Sequence, residues 1–277
     1  MEWWHAIVFG VIEGVTEFLP ISSTGHLTIM EKLLGYRIDD PSVTAFTAII
    51  QVGAVLATVL YLRKDIWRVG AAWFRGLGDQ KQRKRDYKFG WAVLIGSIPI
   101  GIIGLLFKDE IEGVLRSLWF VAGALILWSG VIWFADRHAK QDRGEKDTTW
   151  KDTLIIGITQ CLALIPGISR SGATMSAGLL RGFDRVTVTR LSFFLSIPAL
   201  MAAAVLQTVT QYDEISNGVG WGPTVLATAD SFAVAYAAVA WLLRFIARHD
   251  YSVFIWYRVV LGAMLIVLLS TNVIEPI

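Results

Sequence analysis

Residues 13–26 read EGVTEFLPISSTGH and interrupt an otherwise apolar N-terminal run. Glu13 and Glu17 are four positions apart, which places them on one face of a helix. Pro20 then breaks that helix, because it has no N–H to donate and its ring clashes with the preceding turn. Three hydroxyl residues, a glycine and His26 follow directly. Two acids, a chain break and a polar cluster are poorly suited to a hydrophobic core and predict a functional site.

The composition around this stretch is that of a membrane protein. The chain has 277 residues, of which 55% are hydrophobic and only 17% are charged, whereas soluble domains carry about 25% charged residues. Several apolar runs approach the roughly 20 residues that a helix needs to cross a bilayer. The net charge of +2 gives no indication of nucleic-acid binding. The single cysteine, Cys161, cannot form a disulfide within the chain.

Six apolar segments predict transmembrane helices, at residues 43–62, 89–107, 118–135, 191–209, 225–245 and 253–269. Residues 63–88 contain nine Lys or Arg and three acids, so the positive-inside rule places this loop in the cytoplasm. The connectors at 108–117 and 211–223 have more acids than bases and are expected on the outer side.

The chain also repeats itself at an interval of 147 positions. The matching pairs are Gly10-Val11 with Gly157-Ile158, ISSTG at 21–25 with ISRSG at 168–172, and Phe46 with Phe193. We therefore expect a single membrane domain, 1–277, built from a first repeat at 1–135 and a second at 150–277. If both interrupted segments dip into the membrane and return, three spans separate equivalent points and the second repeat is inverted. The predicted fold is all-α, with six transmembrane helices and two re-entrant hairpins that meet near the midplane.

The polar residues of the first interrupted segment allow several roles. Glu13 and Glu17 suit a base or a divalent cation such as Mg²⁺ or Ca²⁺, although acids at the water interface would need no such partner. His26 suits a general acid or base, or activation of a hydroxyl. The hydroxyls of Ser22, Ser23 and Thr24 can cap the next helix, and such a helix N-terminus also binds phosphate. We expect one of the three hydroxyls to be a nucleophile.

The second interrupted segment contributes Arg170, between Ser169 and Ser171. Guanidinium is a frequent partner of phosphate and carboxylate oxygens, and Gly172 lets the backbone approach a ligand. Gln51 and Gln160 are expected to support the site, although both can serve as ordinary hydrogen-bonding residues between helices. Together these residues predict an anion site, with a lipid-borne phosphate as the ligand.

The two motifs, EGVTEFLPISSTGH at 13–26 and PGISRSGAT at 166–174, closely resemble those of the undecaprenyl-diphosphate phosphatase family, also called bacitracin-resistance proteins. The resemblance covers nearly the whole chain. It implies hydrolysis of undecaprenyl diphosphate to the monophosphate carrier of peptidoglycan synthesis, in the bacterial cytoplasmic membrane. The position of the first motif on the outer hairpin favours an active site that faces the outer side. The resemblance further implies that bacitracin competes for the substrate and allows a homodimer.

By motif position, the resemblance carries over an active-site set of Glu13, Glu17, Ser23, His26 and Arg170. Our expected mechanism has Ser23 as the nucleophile activated by His26, with Arg170 neutralising phosphoryl charge. Attack by His26 or by water remains an alternative. Glu17 with Glu13 would hold the divalent cation or position the water. The expected phosphate-binding residues are Ser22, Thr24, Gly25, Ser169, Ser171, Gly172 and Thr174.

Two other functions compete with this one. STGH at 23–26 bears a short likeness to soluble-type acid phosphatases of the lipid-phosphatase superfamily, but the later His with an Asp partner and the upstream Lys-Arg motif of that family are missing. A flippase is the second alternative, since inverted repeats with broken helices are typical of transporters. The family's cytoplasmic loop often carries acids before the second motif; here Glu145, Lys146 and Asp147 stand there, which leaves the role of Asp147 in doubt.

Overall fold

The protein is all-helical in the residues that the computed structural model describes, 1–107 and 117–276. The expected outer connector at 108–117 lies outside these residues, apart from Ser117. In chain order the α-helices are α1 (Trp3–Thr16), α2 (Ser23–Leu33), α3 (Pro41–Tyr61), α4 (Arg63–Gly78), α5 (Arg85–Leu106), α6 (Leu118–His138), α7 (Trp150–Gln160), α8 (Arg170–Leu180), α9 (Arg185–Thr210), α10 (Tyr212–Asn217), α11 (Trp221–Ile246) and α12 (Ser252–Ser270).

Six of these helices, α3, α5, α6, α9, α11 and α12, are long and apolar enough to cross a membrane. They coincide with the six segments expected from the sequence, with ends that differ by a few residues. The chain is therefore a multi-pass membrane protein, as predicted.

The basic segment at 63–88 is a helix over most of its length, where a loop was expected. Its α4 portion packs on α5: Trp73 contacts Gly90, and Tyr87 fills the space beside Gly76. Arg68 of α4 pairs with Asp86 and lies 3.4 Å from Glu145. The apolar residues recur at helical spacing along this basic segment. Within α4, Val69 and Gly76 are buried, whereas Trp67 and Phe74 are exposed.

The two interrupted segments are pairs of short helices. α1 ends at Thr16, four residues before Pro20, and α2 begins immediately after Ser22. α7 and α8 repeat this arrangement, with Ser169 before α8. Ser22 has φ +75° and Ser169 has φ +76°, an uncommon backbone conformation for a residue with a side chain. α7 begins 147 positions after α1 begins. α8 likewise begins and ends 147 positions after α2 begins and ends, so the helices follow the interval of the sequence repeat.

Small residues bring each short helix against a long one. α1 crosses α11 at Gly10, where an added Cβ would collide with the backbone of Ala227. α7 crosses α5 at Gly157, where it would collide with the carbonyl oxygen of Gly96. Close backbone approach at small residues is the usual packing mode between membrane helices. It brings the ends of α1 and α7 to the interior of the protein.

Candidate active site

A cavity of about 130 Å³ lies where the two interrupted segments meet. Polar residues from the start of α2 and of α8 line it, together with one side chain from α3 and apolar residues from α5, α9 and the turn after α7. These residues are Glu17, Ser22, Ser23, Thr24, Gln51, Ile100, Ala163, Leu164, Ser169, Arg170 and Leu200. Two helix N-termini therefore meet at one small cavity, an arrangement that favours an anion.

The two turns that form the cavity hold each other by hydrogen bonds. The Ser22 hydroxyl oxygen accepts from the Gly25 N–H of its own helix (3.3 Å) and from the Gly167 N–H of the other turn (3.2 Å). In the opposite direction, Ser171 donates its hydroxyl to the carbonyl of Leu19 at 2.8 Å. Each of these serines thus helps to join two segments that are about half the chain apart.

Glu17 lies at the centre of the polar contacts. One carboxylate oxygen accepts a hydrogen bond from the Ser23 hydroxyl, and the other accepts from Nη2 of Arg170 at 2.8 Å. No hydrogen-bond partner for Nε or Nη1 of Arg170 is found among the described residues, while its guanidinium lies 5.7 Å from the ring centre of Phe18. Arg170 therefore lines the cavity and has N–H groups that no described protein group binds. Such a guanidinium suits the oxygens of an anion.

The hydrogen bonds of His26 go to groups other than Ser23, whereas the expected mechanism has His26 activate Ser23. Its Nδ1 lies 2.7 Å from the carbonyl oxygen of Ser22, and its Nε2 lies 2.7 Å from the hydroxyl of Tyr257. A carbonyl only accepts, so Nδ1 carries the hydrogen and, in the neutral imidazole, Nε2 accepts from Tyr257. The Ser23 hydroxyl donates its hydrogen bond to the carboxylate of Glu17.

Glu13 is fully buried on α1, and its carboxylate interacts with that of Glu17. Among the described residues neither carboxylate oxygen has a hydrogen-bond donor. Two adjacent buried carboxylates are stabilised by a shared proton or by nearby positive charge, of which Arg170 supplies one at Glu17. The pair therefore fits the donor set of Mg²⁺ or Ca²⁺, whose remaining ligands would be water, hydroxyl or phosphate oxygens.

The other predicted residues divide between the cavity and its frame. Thr24, Gln51 and Ser169 line the cavity. Gly172 donates its N–H to Ser169, as Gly25 does to Ser22.

Ser171 and Thr174 are buried and bonded to protein groups, and neither lines the cavity. Thr174 donates to the carbonyl of Arg170 at 2.9 Å and contacts the Ser192 hydroxyl at 2.7 Å. Gln160 is buried on α7, and neither atom of its amide has a partner among the described residues.

The 147-residue interval pairs residues of unlike chemistry in the two segments. Ser23 and Arg170 are both the first residue of their helices, and Glu13 corresponds to Gln160. The first segment supplies the acids and the hydroxyl, and the second supplies the cation. Equivalent backbones thus carry complementary halves of one site.

The sequence reasoning missed two residues of α12, Tyr257 and Arg258. Tyr257 bonds His26, and Arg258 is fully buried beside the two turns. A signal existed for Arg258, since an ionisable residue inside an apolar span is a functional hypothesis by default. No sequence signal marks Tyr257, because tyrosine is common near membrane interfaces.

A family model described as bacitracin resistance protein BacA matches residues 6–264. The chain belongs to this family. It is 68% identical over 272 residues to "Undecaprenyl-diphosphatase 3" of Frankia casuarinae, with 98% of each chain covered. It is 54% identical to "Undecaprenyl-diphosphatase" of Cutibacterium acnes over 282 residues, with 99% of each covered. It is 51% identical to "Undecaprenyl-diphosphatase 1" of Streptomyces coelicolor, with 98% of this chain and 97% of the relative covered. These matches confirm the family resemblance drawn from the two motifs.

Proposed function

We propose that the protein hydrolyses undecaprenyl diphosphate to undecaprenyl phosphate and inorganic phosphate, and so recycles the lipid carrier of bacterial cell-wall synthesis. The observation that carries the proposal is the contact of Glu17 with both Ser23 and Arg170 in a cavity between two helix N-termini. The relatives named undecaprenyl-diphosphatase support the choice of substrate.

The size of the cavity suits the head of this substrate. Sites that enclose a whole drug-sized ligand measure about 300–1,000 Å³, whereas this cavity measures about 130 Å³. A diphosphate therefore enters while the polyprenyl chain stays in the lipid. The apolar side chains of Ile100 and Leu200, on two membrane-spanning helices, lie at the cavity wall where the first isoprene units would pass.

In the proposed mechanism, the Ser23 oxygen attacks the terminal phosphorus and its proton passes to Glu17. The bond between that phosphorus and the bridging oxygen breaks, and undecaprenyl phosphate leaves with the proton that Glu17 returns to it. Water then attacks the phosphorus of the phosphoserine and gives its proton to Glu17. The bond between phosphorus and the Ser23 oxygen breaks, phosphate leaves, and Glu17 passes the proton to the Ser23 oxygen. Arg170 neutralises charge on the transferring group through its unpartnered N–H groups. The contacts of both His26 nitrogens favour Ser23 over His26 as the nucleophile.

Glu13, with Glu17, would hold a Mg²⁺ or Ca²⁺ ion. The buried carboxylate oxygens of Glu13, without donors among the described residues, support this assignment. A bound divalent ion would supply positive charge against the oxygens of the diphosphate.

We also propose that the two halves, 1–135 and 150–277, are inverted repeats and that α1–α2 and α7–α8 are re-entrant hairpins. The same spacing of 147 positions separates equivalent helix starts and the two serines that precede α2 and α8, which supports this arrangement. The protein would reside in the bacterial cytoplasmic membrane with the site open to the outer side, where bacitracin would compete for the substrate. In this proposal membrane lipids surround the protein, and two copies of the chain form a homodimer.

A flippase for polyprenyl phosphates is the second candidate function. The broken helices that meet at the cavity favour it, because transporters place their sites at such breaks. Hydrolysis needs no intact membrane, whereas transport does. An assay of hydrolysis by the purified protein in detergent therefore distinguishes the phosphatase from the flippase.

The test is phosphate release from undecaprenyl diphosphate by purified protein in detergent, with and without EDTA. Arg170→Ala and Glu17→Ala should abolish release, whereas Arg248→Ala and Glu214→Ala, at exposed positions, should not change it. Loss of release with EDTA and recovery with a divalent ion would support the metal proposal. Folded wild-type protein that releases no phosphate with any ion would overturn the phosphatase and leave the flippase.

A further inference from the structure

Arg258 lies within α12, an apolar membrane-spanning helix, and its side chain is fully inaccessible to solvent. Burial of a charged group is costly unless its donors are satisfied. The acceptors of its guanidinium among the described residues are all uncharged oxygens. They are the Ser129 hydroxyl (3.1 Å) and the carbonyls of Pro20 (3.3 Å), Gly167 (2.9 Å) and Ala124 (3.4 Å).

Two of these carbonyls belong to the two turns of the active site. Pro20 stands three positions before Ser23, and Gly167 stands three positions before Arg170. Pro20 and Gly167 are themselves 147 positions apart, so they are equivalent points of the sequence repeat. One guanidinium therefore binds the same backbone position in both interrupted segments.

The chemistry of these positions explains why an arginine is needed. Carbonyls at a break between helices lack the helical N–H that would otherwise bind them, and lipid offers no donor in its place. Gly167 has φ +99°, which takes its peptide out of any helix. A guanidinium has five N–H donors in a planar fork and can bind acceptors from separate chain segments, whereas a lysine ammonium is a point charge.

We infer that Arg258 is a positioning residue that holds the two turns at the separation at which Ser23 and Arg170 both reach Glu17. Arg258 does not line the cavity and therefore acts on the reaction through the turns. The hydrogen bond from the Gly167 N–H to the Ser22 hydroxyl joins the same two turns at a second point. The catalytic part of this inference rests on the proposed phosphatase function, whereas the joining of the turns does not.

The test combines hydrogen–deuterium exchange with steady-state kinetics on purified protein in detergent. The variants are Arg258→Lys, Arg258→Met and the milder Ser129→Ala, which removes one acceptor and leaves the carbonyl contacts. Arg248→Met is the control for removal of an exposed arginine. Exchange is followed in peptides that cover residues 19–26 and 165–172, and kcat and KM are measured with undecaprenyl diphosphate.

For Arg258→Met and Arg258→Lys we expect exchange to rise together in both turns, by about 10-fold or more. We expect kcat to fall about 100-fold, because small displacements of reacting groups are costly, with a much smaller change in KM. Ser129→Ala should show the same joint rise at lower amplitude, and Arg248→Met should show none.

Full kcat in Arg258→Lys would overturn the inference, since it would mean that charge alone matters. Unchanged exchange in both turns of any folded Arg258 variant, or a rise in only one turn, would also overturn it. If Arg258→Met does not fold, Arg258→Lys and Ser129→Ala supply both measurements. If the wild type releases no phosphate, the proposed function fails, and the exchange data still decide whether Arg258 joins the turns.

Discussion

Ser23 donates its hydroxyl to Glu17, six positions earlier, across the turn that separates α1 from α2. The turn brings an acid from the end of one helix to a hydroxyl at the start of the next. The other oxygen of the same carboxylate is bound by Arg170, from the distant half of the chain. A hydroxyl and a guanidinium from distant parts of the fold are thereby joined through one carboxylate.

This contact predicts which substitutions abolish the chemistry. Ser23→Ala and Glu17→Gln should each lower kcat by about 10²–10⁴-fold, the usual contribution of a nucleophile–base pair. His26→Gln should lower it less, because His26 bonds Ser22 and Tyr257 and not Ser23. Phosphate release by the purified variants is the measurement. A His26→Gln enzyme as inactive as Ser23→Ala would contradict the assignment of Glu17 as the base.

Arg170 should not be replaceable by lysine. An ammonium could keep the pair with Glu17 at 2.8 Å, but it lacks the planar fork whose Nε and Nη1 are left for the substrate. We expect Arg170→Lys to lower kcat by about 10²–10³-fold while the thermal unfolding midpoint changes little. Arg248→Lys is the matched control. Near-normal kcat in Arg170→Lys would show that charge without the fork is sufficient.

The crossing of α7 and α5 predicts a difference between two helical glycines. Gly157→Ala should lower the unfolding free energy by about 1–3 kcal/mol, because its Cβ would collide with the Gly96 carbonyl. Gly130→Ala, in α6, meets nothing within 4 Å and should leave stability unchanged or raise it by up to about 1 kcal/mol. Thermal unfolding in detergent measures both. Equal midpoints for the two variants would contradict this close approach.

Asp152, at the start of α7, predicts a pH-dependent stability. Its buried carboxylate accepts from Arg143 (2.7 Å), Arg181 (2.9 Å) and Thr149 (2.7 Å). Burial favours the neutral acid, but the hydrogen bonds, that of Arg143 foremost, outweigh it and hold the pKa of Asp152 below its ordinary value. A carboxyl with a depressed folded-state pKa stabilises the fold above its unfolded pKa, near 4, and this contribution is lost as the pH falls further.

Asp152→Asn should therefore destabilise the protein by about 1–3 kcal/mol at pH 7, since it leaves two partly exposed arginines without their acid. The difference from wild type should shrink as the pH is lowered below about 4. Unfolding midpoints at several pH values measure it, with the exposed Asp213→Asn as control. A difference that stays constant down to pH 3 would contradict the role of the ionised carboxylate.

Much of the fold was readable from local sequence. The six spans appear as apolar runs, because a helix in lipid must be apolar along a length set by the bilayer. Pro20 and the glycines around Arg170 marked the breaks, since their backbone chemistry is independent of the rest of the protein. The prediction for the basic segment at 63–88 was less accurate. Its charge predicted the side of the membrane but not its structure: a loop was expected, and most of the segment is a helix, in which Trp73 packs against Gly90 of α5.

The sequence by itself determined the membrane class, the family and the residues from which the site is built, because residue type, spacing and hydropathy are local properties. Only the tertiary structure decided their partners. It placed Ser23 on Glu17 instead of His26, took Thr174 out of the cavity, and brought Arg258 to the carbonyls of Pro20 and Gly167. These contacts join segments up to 238 positions apart. They depend on how helices cross, which short-range patterns do not encode.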